Sequence, residues 1–180
     1  MNKKVLIVLL PVVLLACNFL FPQQEPPAQQ AVPTIRYGEA NNPETLQEAE
    51  SNGFTIVRIH PGDIDVQVML ATEAQKAIST GLIPVVEFDA TWCPPCRAID
   101  EAIESRNKLM MDAYQGTYII KLDVDEWGWG VGDFKVEAIP IYFKVDADGK
   151  QTGEVIDGGA WGDNIPENMA PPMDKFFHGG

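Results

Sequence analysis

Apolar and polar residues alternate along this chain in patterns that predict a series of strands and helices. Residues 54–59 alternate as a half-buried strand does, while residues 83–88 and 117–124 are short apolar runs typical of fully buried strands. Residues 63–80 and 97–114 carry apolar side chains at helical spacing. Strands that alternate with helices in this way indicate an α/β domain with parallel strands.

The last third of the chain departs from this alternation. Residues 141–145 and 152–156 read as strands on either side of Asp148-Gly149, a strong signal for a hairpin turn. The hairpin adds antiparallel strands, so the predicted sheet is mixed. Residues 166–177 have helical character, but proline lacks the N–H that a helix interior needs. We therefore expect this helix to be broken, or to start late near Pro171.

The first 16 residues predict a signal peptide of the lipoprotein type. A basic start precedes an apolar stretch at residues 5–16, which is short for a membrane span. The sequence Leu-Leu-Ala-Cys at residues 14–17 resembles the lipobox of bacterial lipoproteins, in which the cysteine, here Cys17, becomes the lipidated first residue. The alternative is an uncleaved anchor that reaches Phe21. Both interpretations place the remaining chain outside the cytoplasmic membrane, in a bacterial cell envelope.

A tether and a short extension are predicted between this leader and the folded domain. Residues 17–33 are rich in Pro and Gln, and we interpret them as a lipidated N-terminus followed by a disordered tether. Residues 34–53 form an extension with a possible short helix after Pro43. Residues 54–180 are the predicted folded domain.

The negative net charge of the chain argues against nucleic acid as a partner. The chain carries a net charge of −13, and Lys3 and Lys4 are the only charged residues before Cys17, so cleavage there would leave −15. This surface repels nucleic acid, and no basic stripe is present. We expect an acidic, monomeric domain. The acidic residues then serve solubility alone. The alternative is an acidic face that selects basic partner proteins.

The sequence Trp92-Cys93-Pro94-Pro95-Cys96 carries the candidate chemistry. It joins an apolar strand to a helix, so Cys93 lies at a helix N-terminus, where unpaired N–H groups and the helix dipole favour a thiolate. Cys96 lies one turn along the helix and can attack a mixed disulfide formed by Cys93. The two prolines remove two N–H donors, which leaves the Cys96 N–H as the candidate donor to the Cys93 sulfur.

Two other interpretations of the cysteine pair fit the sequence less well. A structural disulfide would more often close a longer loop. A zinc site would need two more ligands, and His60 and His178 lack ligand spacing to the motif. We therefore predict neither a metal nor a dissociable cofactor.

Taken together, these residues resemble the thioredoxin superfamily, and in particular its lipoprotein-anchored, TlpA/ResA-like members. The resemblance covers residues 54–177 and implies a three-layer α/β/α fold with a central mixed sheet. It rests on the order and spacing of Glu87, Trp92, the cysteine pair, the strand-like residues 121–125, Pro140, Asp148-Gly149 and Gly158-Gly159.

The resemblance also implies residue roles. Glu87 would be a buried acid that accepts the Cys96 proton, although a solvated strand glutamate is the alternative. Pro140 would follow a cis peptide bond and place Ile139 beside Cys93. The helix position alone predicts that Cys93, at the helix start, is more exposed than Cys96, which turns inward. The predicted substrate-binding residues are Trp92, Pro94, Pro95, Ile139, Pro140 and Trp161. Trp127, Trp129 and Trp161 are alternatively packing residues, the first two in a glycine-rich loop or short helix at residues 125–134.

The predicted function is a thiol–disulfide oxidoreductase that reduces protein disulfides and receives electrons from a membrane donor. A disulfide oxidant or isomerase uses the same motif with the reverse electron flow. A non-catalytic surface binding module is the alternative from another class.

Overall fold

The computed structural model describes residues 53–179. The predicted signal peptide (1–16), the tether with the lipid site Cys17 (17–33) and nearly all of the extension (34–53) lie outside these residues. Within residues 53–179, the helices are all too short or too polar to cross a membrane.

Within the part of the chain that the structure describes, five strands form one mixed sheet, and helices cover both of its faces. In chain order, the elements are β1 (Thr55–Arg58), α1 (Val66–Ser79), β2 (Ile83–Asp89), α2 (Pro94–Glu104), α3 (Lys108–Tyr114), β3 (Thr117–Asp123), α4 (Val124–Trp127), β4 (Ile141–Val145), β5 (Gln151–Asp157), a 3₁₀ turn (Gly158–Ala160) and α5 (Pro166–His178). The strand order is β1-β3-β2-β4-β5. This is the predicted thioredoxin-like α/β fold.

The pairing of the strands confirms the predicted sheet. β3 lies parallel to both β1 and β2, while β4 runs antiparallel to β2 and to β5. The β4–β5 hairpin turns at Gly149, whose φ of +71° is left-handed. A Cβ added there would lie 2.7 Å from the Ala71 backbone nitrogen, so the turn packs tightly against α1.

The core has one apolar layer on each face of the sheet. On the first face, α1 packs Leu70, Ala74 and Ala77 against the sheet. On the second face, the three helices α2, α3 and α5 bury a larger set that includes Ile99, Ile103, Met110, Tyr114, Met169, Met173 and Phe177. β2 is buried almost throughout, as its apolar run predicts.

The predicted helix at 97–114 is wrong in its continuity, because two helices occupy this range. α2 ends at Glu104, and Arg106 then adopts a positive φ of 57°. The side chain of Asn107 accepts hydrogen bonds from the backbone N–H groups of Leu109 and Met110, so it caps the start of α3. A capping side chain inside an apparently continuous apolar pattern is the cause of the break.

The predicted break near Pro171 is also wrong, since α5 is continuous from Pro166 to His178. Pro171 and Pro172 lack the N–H groups that would bond the carbonyls of Glu167 and Asn168, but both of these residues lie at the surface rather than in the core. The same helix buries Met169, Ala170, Met173 and Phe177. This apolar burial offsets the two missing hydrogen bonds.

Candidate active site

The two cysteines form a disulfide at the point where β2 gives way to α2. Their sulfurs are 2.04 Å apart and their Cα atoms 5.3 Å apart. Cys93 is the N-cap of α2, and its sulfur accepts a hydrogen bond from the Cys96 backbone N–H at 3.2 Å. Pro94 and Pro95 occupy the first helical positions and donate none, so the structure confirms the expected donor.

Both cysteines are buried in the disulfide form. The exposed fraction is 2% for Cys93 and 1% for Cys96, so the predicted difference in exposure is not seen in this state. Their neighbours in the motif reach solvent: Trp92 and Pro94 are exposed, and Pro95 is half-buried.

The Ile139–Pro140 peptide bond is cis, as the resemblance implied. β4 begins directly after it and runs antiparallel to β2, so Pro140 lies at the edge of the sheet where the cysteine motif begins. The N–H of Gly158 donates to the Pro140 carbonyl at 3.0 Å. A Cβ on Gly158 would lie 3.3 Å from the Pro140 ring, so a glycine keeps this corner open.

Two exposed tryptophans lie beside the cysteines. The indole N–H of Trp92 donates to Asp125 Oδ2 at 2.8 Å, which fixes this ring. The ring of Trp129 lies 6.5 Å from it, centroid to centroid, at a tilt of 40°. About half of each residue is exposed, 53% for Trp92 and 52% for Trp129. The interpretation of Trp129 as a packing residue is therefore wrong.

The other two tryptophans are packing residues. Trp127 is half-buried against the first core layer, and its N–H donates to the Ile59 carbonyl at 3.0 Å. Trp161 is buried in the second layer with 7% exposed, and its N–H donates to Asn164. Burial of Trp161 favours the packing alternative over its predicted place in a peptide groove.

Beneath the motif, polar side chains form a row across four neighbouring strands. Arg58 of β1 is in register with Lys121 of β3, Lys121 with Glu87 of β2, and Glu87 with Tyr142 of β4. In-register neighbours present their side chains on the same face of a sheet. Glu87 is buried with 1% exposed, so the predicted burial is confirmed and the solvated alternative is excluded.

Charged groups around this row form what we call the charge cluster. Its members are Arg58, Glu87, Asp89, Asp100, Lys121 and Asp123. The Lys121 ammonium lies 2.7 Å from Asp100 Oδ1, 2.9 Å from Asp89 Oδ2 and 3.4 Å from Glu87 Oε1. Arg58 binds Asp89 through two hydrogen bonds of 2.8 and 2.6 Å.

The pKa values of the two carboxyl groups on β2, Glu87 and Asp89, shift in opposite directions. Burial is the largest influence on Glu87 and, with the negative charges of Asp89 and Asp100, raises its pKa to about 7 against the attraction of Lys121. Burial also acts on Asp89, but there Lys121 and Arg58 prevail and lower the pKa. Burial alone would lower the pKa of Lys121, yet the carboxylates Glu87, Asp89 and Asp100 raise it well above its ordinary value.

The position of Asp100 connects the cluster to the cysteines. Asp100 follows Cys96 by four residues in α2, so the two lie on one face of the helix. Because Asp100 holds Lys121 and Lys121 is in register with Glu87, the carboxyl of Glu87 lies under the cysteine-bearing end of α2. This arrangement suits proton exchange with a thiol near neutral pH.

Sequence reasoning missed Arg58, Asp89, Asp100 and Lys121 as site residues. A signal for two of them was present, because Arg58 and Lys121 are charged residues inside predicted strands that are mainly apolar. Among residues 53–179, no group of three or more His, Cys, Asp or Glu side chains is arranged to hold a metal ion.

Comparison with known proteins decides the family. The family model for thioredoxin matches residues 65–170. This chain belongs to the thioredoxin family. Thioredoxin H4 from Arabidopsis thaliana is 34% identical over 103 residues, which cover 57% of this chain and 75% of that protein. An H-type thioredoxin from Picea mariana is 32% identical over 99 residues, or 55% of this chain and 74% of that protein.

A crystal structure of a thioredoxin from Nicotiana alata is 27% identical and covers 56% of this chain and 78% of its own, with a TM-score of 0.40. The family assignment depends on the family model and the sequence relatives. With the exchangeable pair Cys93 and Cys96, it makes this thioredoxin a thiol–disulfide oxidoreductase.

Proposed function

We propose that this thioredoxin is a membrane-tethered reductase of protein disulfides that works outside the cytoplasmic membrane. The single observation that carries the reductive assignment is the buried carboxyl of Glu87, whose pKa is raised to about 7, beneath the cysteine-bearing helix. A group of this kind deprotonates the resolving thiol at neutral pH, and that step releases the reduced substrate.

The reaction starts from the reduced Cys93–Cys96 pair. The Cys93 thiolate attacks one sulfur of a substrate disulfide, the substrate S–S bond breaks, and the departing sulfur takes up a proton. Cys96 then gives its proton to the Glu87 carboxylate and attacks the Cys93 sulfur. A Cys93–Cys96 disulfide forms, the mixed disulfide breaks, and the second substrate sulfur leaves as a thiolate that takes up a proton. Two electrons pass to the substrate, so a dithiol donor must reduce the pair again.

The surface around the cysteines supplies a site for the substrate polypeptide. Trp92 and Trp129 offer two exposed rings, and Pro94 is exposed beside them. At the same end of the sheet, Ile139 is half-buried and Pro140 is buried. Flat aromatic rings next to a reactive disulfide fit an extended peptide better than a small thiol.

The location and the anchor are proposed from the leader sequence. The basic start, the apolar stretch at residues 5–16 and the lipobox-like residues 14–17 support export and lipidation at Cys17. An exported reductase works in an oxidising compartment, and a lipid anchor keeps it near a membrane electron donor. The tether at 17–33 gives the domain reach. These features also support the TlpA/ResA-like subtype.

Insulin reduction by the full chain in detergent, with dithiothreitol as the electron source, tests the activity. We expect turnover that is lost in Cys93→Ser. A wild-type chain that binds proteins but reduces none would support the binding-module alternative.

Labelling with a radioactive fatty acid in bacteria tests the lipid anchor. We expect label in the wild type and none in Cys17→Ser, whereas label in both would refute the lipid site.

A further inference from the structure

The ammonium of Lys121 lies near three carboxyl groups, but at unequal distances. It makes its shortest contacts with Asp100 at 2.7 Å and Asp89 at 2.9 Å, and it lies 3.4 Å from Glu87 Oε1. Glu87 Oε1 has no hydrogen-bond partner within the described part of the chain, although it is fully buried. Lys121 is thus bonded to two other acids, while one oxygen of the buried Glu87, Oε1, lacks a hydrogen-bond donor.

Asp89 is held in this competing position from its other side. Arg58 is in register with Lys121 on the neighbouring edge strand and binds both oxygens of Asp89. A bidentate arginine fixes a carboxylate in orientation as well as in charge. Asp100 approaches from α2, so Lys121 is drawn from the sheet side by Asp89 and from the helix side by Asp100.

We propose that Asp89 and Asp100 are positioning residues that keep the Lys121 ammonium from hydrogen bonding to Glu87 Oε1, although it lies 3.4 Å away, and so keep Glu87 able to carry a proton at neutral pH. This inference rests on the proposed proton transfer from Cys96 to Glu87. Neither aspartate touches the reacting sulfurs in this scheme. They act through Lys121, and Arg58 acts through Asp89.

The remaining charged and titratable groups near Glu87 do not take over the role of Asp89 and Asp100 in setting its protonation. From β4, Tyr142 is in register with Glu87, and its hydroxyl lies 3.2 Å from that of Tyr114 of α3. Burial, followed by the charge of Glu87, raises the pKa values of both tyrosines, so they stay neutral. Asp123 of β3 lies 3.9 Å from Arg58. From the motif, Cys93 and Cys96 are joined in the disulfide and do not titrate in this state; in the reduced pair, Cys96 is the source of the proton in the proposed scheme. Among residues 53–179, Lys121 is the cation within ion-pair distance of Glu87.

Removal of either aspartate charge should therefore have two effects in the same direction. The repulsion on Glu87 falls, and Lys121 becomes free to bond Glu87 as a carboxylate. Both effects favour ionised Glu87. Asp89→Asn and Asp100→Asn keep the shape and one acceptor oxygen, so each changes the charge with little change in volume.

The experiment is a titration of the Glu87 carboxyl by carbon-13 NMR in the full oxidised chain, with the signal assigned by its absence in Glu87→Gln. We expect the midpoint to fall by at least one pH unit in Asp89→Asn and by a smaller amount in Asp100→Asn. Asp112→Asn is the matched control, because it removes an aspartate from the exposed pair with Lys108, and its midpoint should equal that of the wild type.

A midpoint that stays or rises in Asp89→Asn and Asp100→Asn would overturn the inference. If Asp89→Asn does not fold, since Arg58 then loses a charged partner, Asp100→Asn decides alone, because its side chain is 21% exposed. The pH profile of insulin reduction separates this result from the proposed function. If Glu87→Gln keeps the wild-type profile, the proton transfer fails while the NMR shift still tests the positioning. If Glu87→Gln changes the profile and the aspartate variants do not shift the midpoint, only the positioning fails.

Discussion

Substitution of Glu87 by Gln should change the pH dependence of folding stability in a defined direction. The folded chain holds the Glu87 proton up to a pKa of about 7, whereas an unfolded glutamate loses it near the ordinary value of 4.5. Between these values the folded state binds more protons, so the wild type loses stability as the pH rises through this window. Glutamine has nearly the shape of a protonated glutamate and does not titrate. The variant therefore escapes this loss.

The size of the effect follows from the shift. A change of one pKa unit corresponds to about 1.4 kcal/mol, so a rise from 4.5 to about 7 amounts to on the order of 3 kcal/mol. Glu87→Gln should match the wild type near pH 4.5 and exceed its free energy of unfolding by roughly that amount near pH 8. Because Glu87 is 1% exposed, solvent screening reduces this value little.

Urea unfolding of the oxidised chain, followed by circular dichroism at several pH values between 4.5 and 8, measures the difference in free energy of unfolding between the variant and the wild type. Glu104→Gln is the matched control, since it makes the same replacement at an exposed position at the end of the helix that carries the cysteines, and such a surface change should alter the free energy of unfolding by under about 0.5 kcal/mol. A Glu87→Gln difference that is constant across the window would refute the reasoning, because it would mean that Glu87 titrates alike in both states.

Three further predictions address the cysteines, the aromatic surface and the buried cation. Cys96→Ser should trap mixed disulfides with partner proteins on non-reducing gels while Cys93→Ser does not, and equal trapping by both would contradict the assigned roles. Trp129→Ala should lower kcat/KM for insulin several-fold and leave reduction of glutathione disulfide unchanged, with Trp129→Phe close to the wild type; an equal loss on both substrates would argue against a peptide site. Lys121→Met should cost about 3–5 kcal/mol in urea unfolding, because it leaves buried carboxylates unpaired, whereas Lys108→Met on the surface should cost under about 1 kcal/mol; similar losses would count against the charge cluster.

The sequence predicted the strands and the cysteine site well because both depend on local patterns. Buried strands such as β2 and β3 are apolar runs of the right length, and the hairpin turn at Gly149 needs a left-handed residue. The helix boundaries failed where a tertiary effect decided them. Asn107 starts a new helix inside an unbroken apolar pattern, and the burial of the face of α5 outweighs the penalty of Pro171.

Apart from Glu87, the members of the charge cluster escaped prediction for a different reason. They lie on three strands and one helix, and their residue types are common on protein surfaces. Their meaning comes from register: Arg58 meets Lys121, and Lys121 meets Glu87, only because β3 lies between β1 and β2 in the sheet. A charged side chain in an apolar strand is costly to bury unless it is paired. Several such residues at in-register positions of neighbouring strands therefore indicate a shared polar site. To recognise such a site, the order of the strands in the sheet must be known.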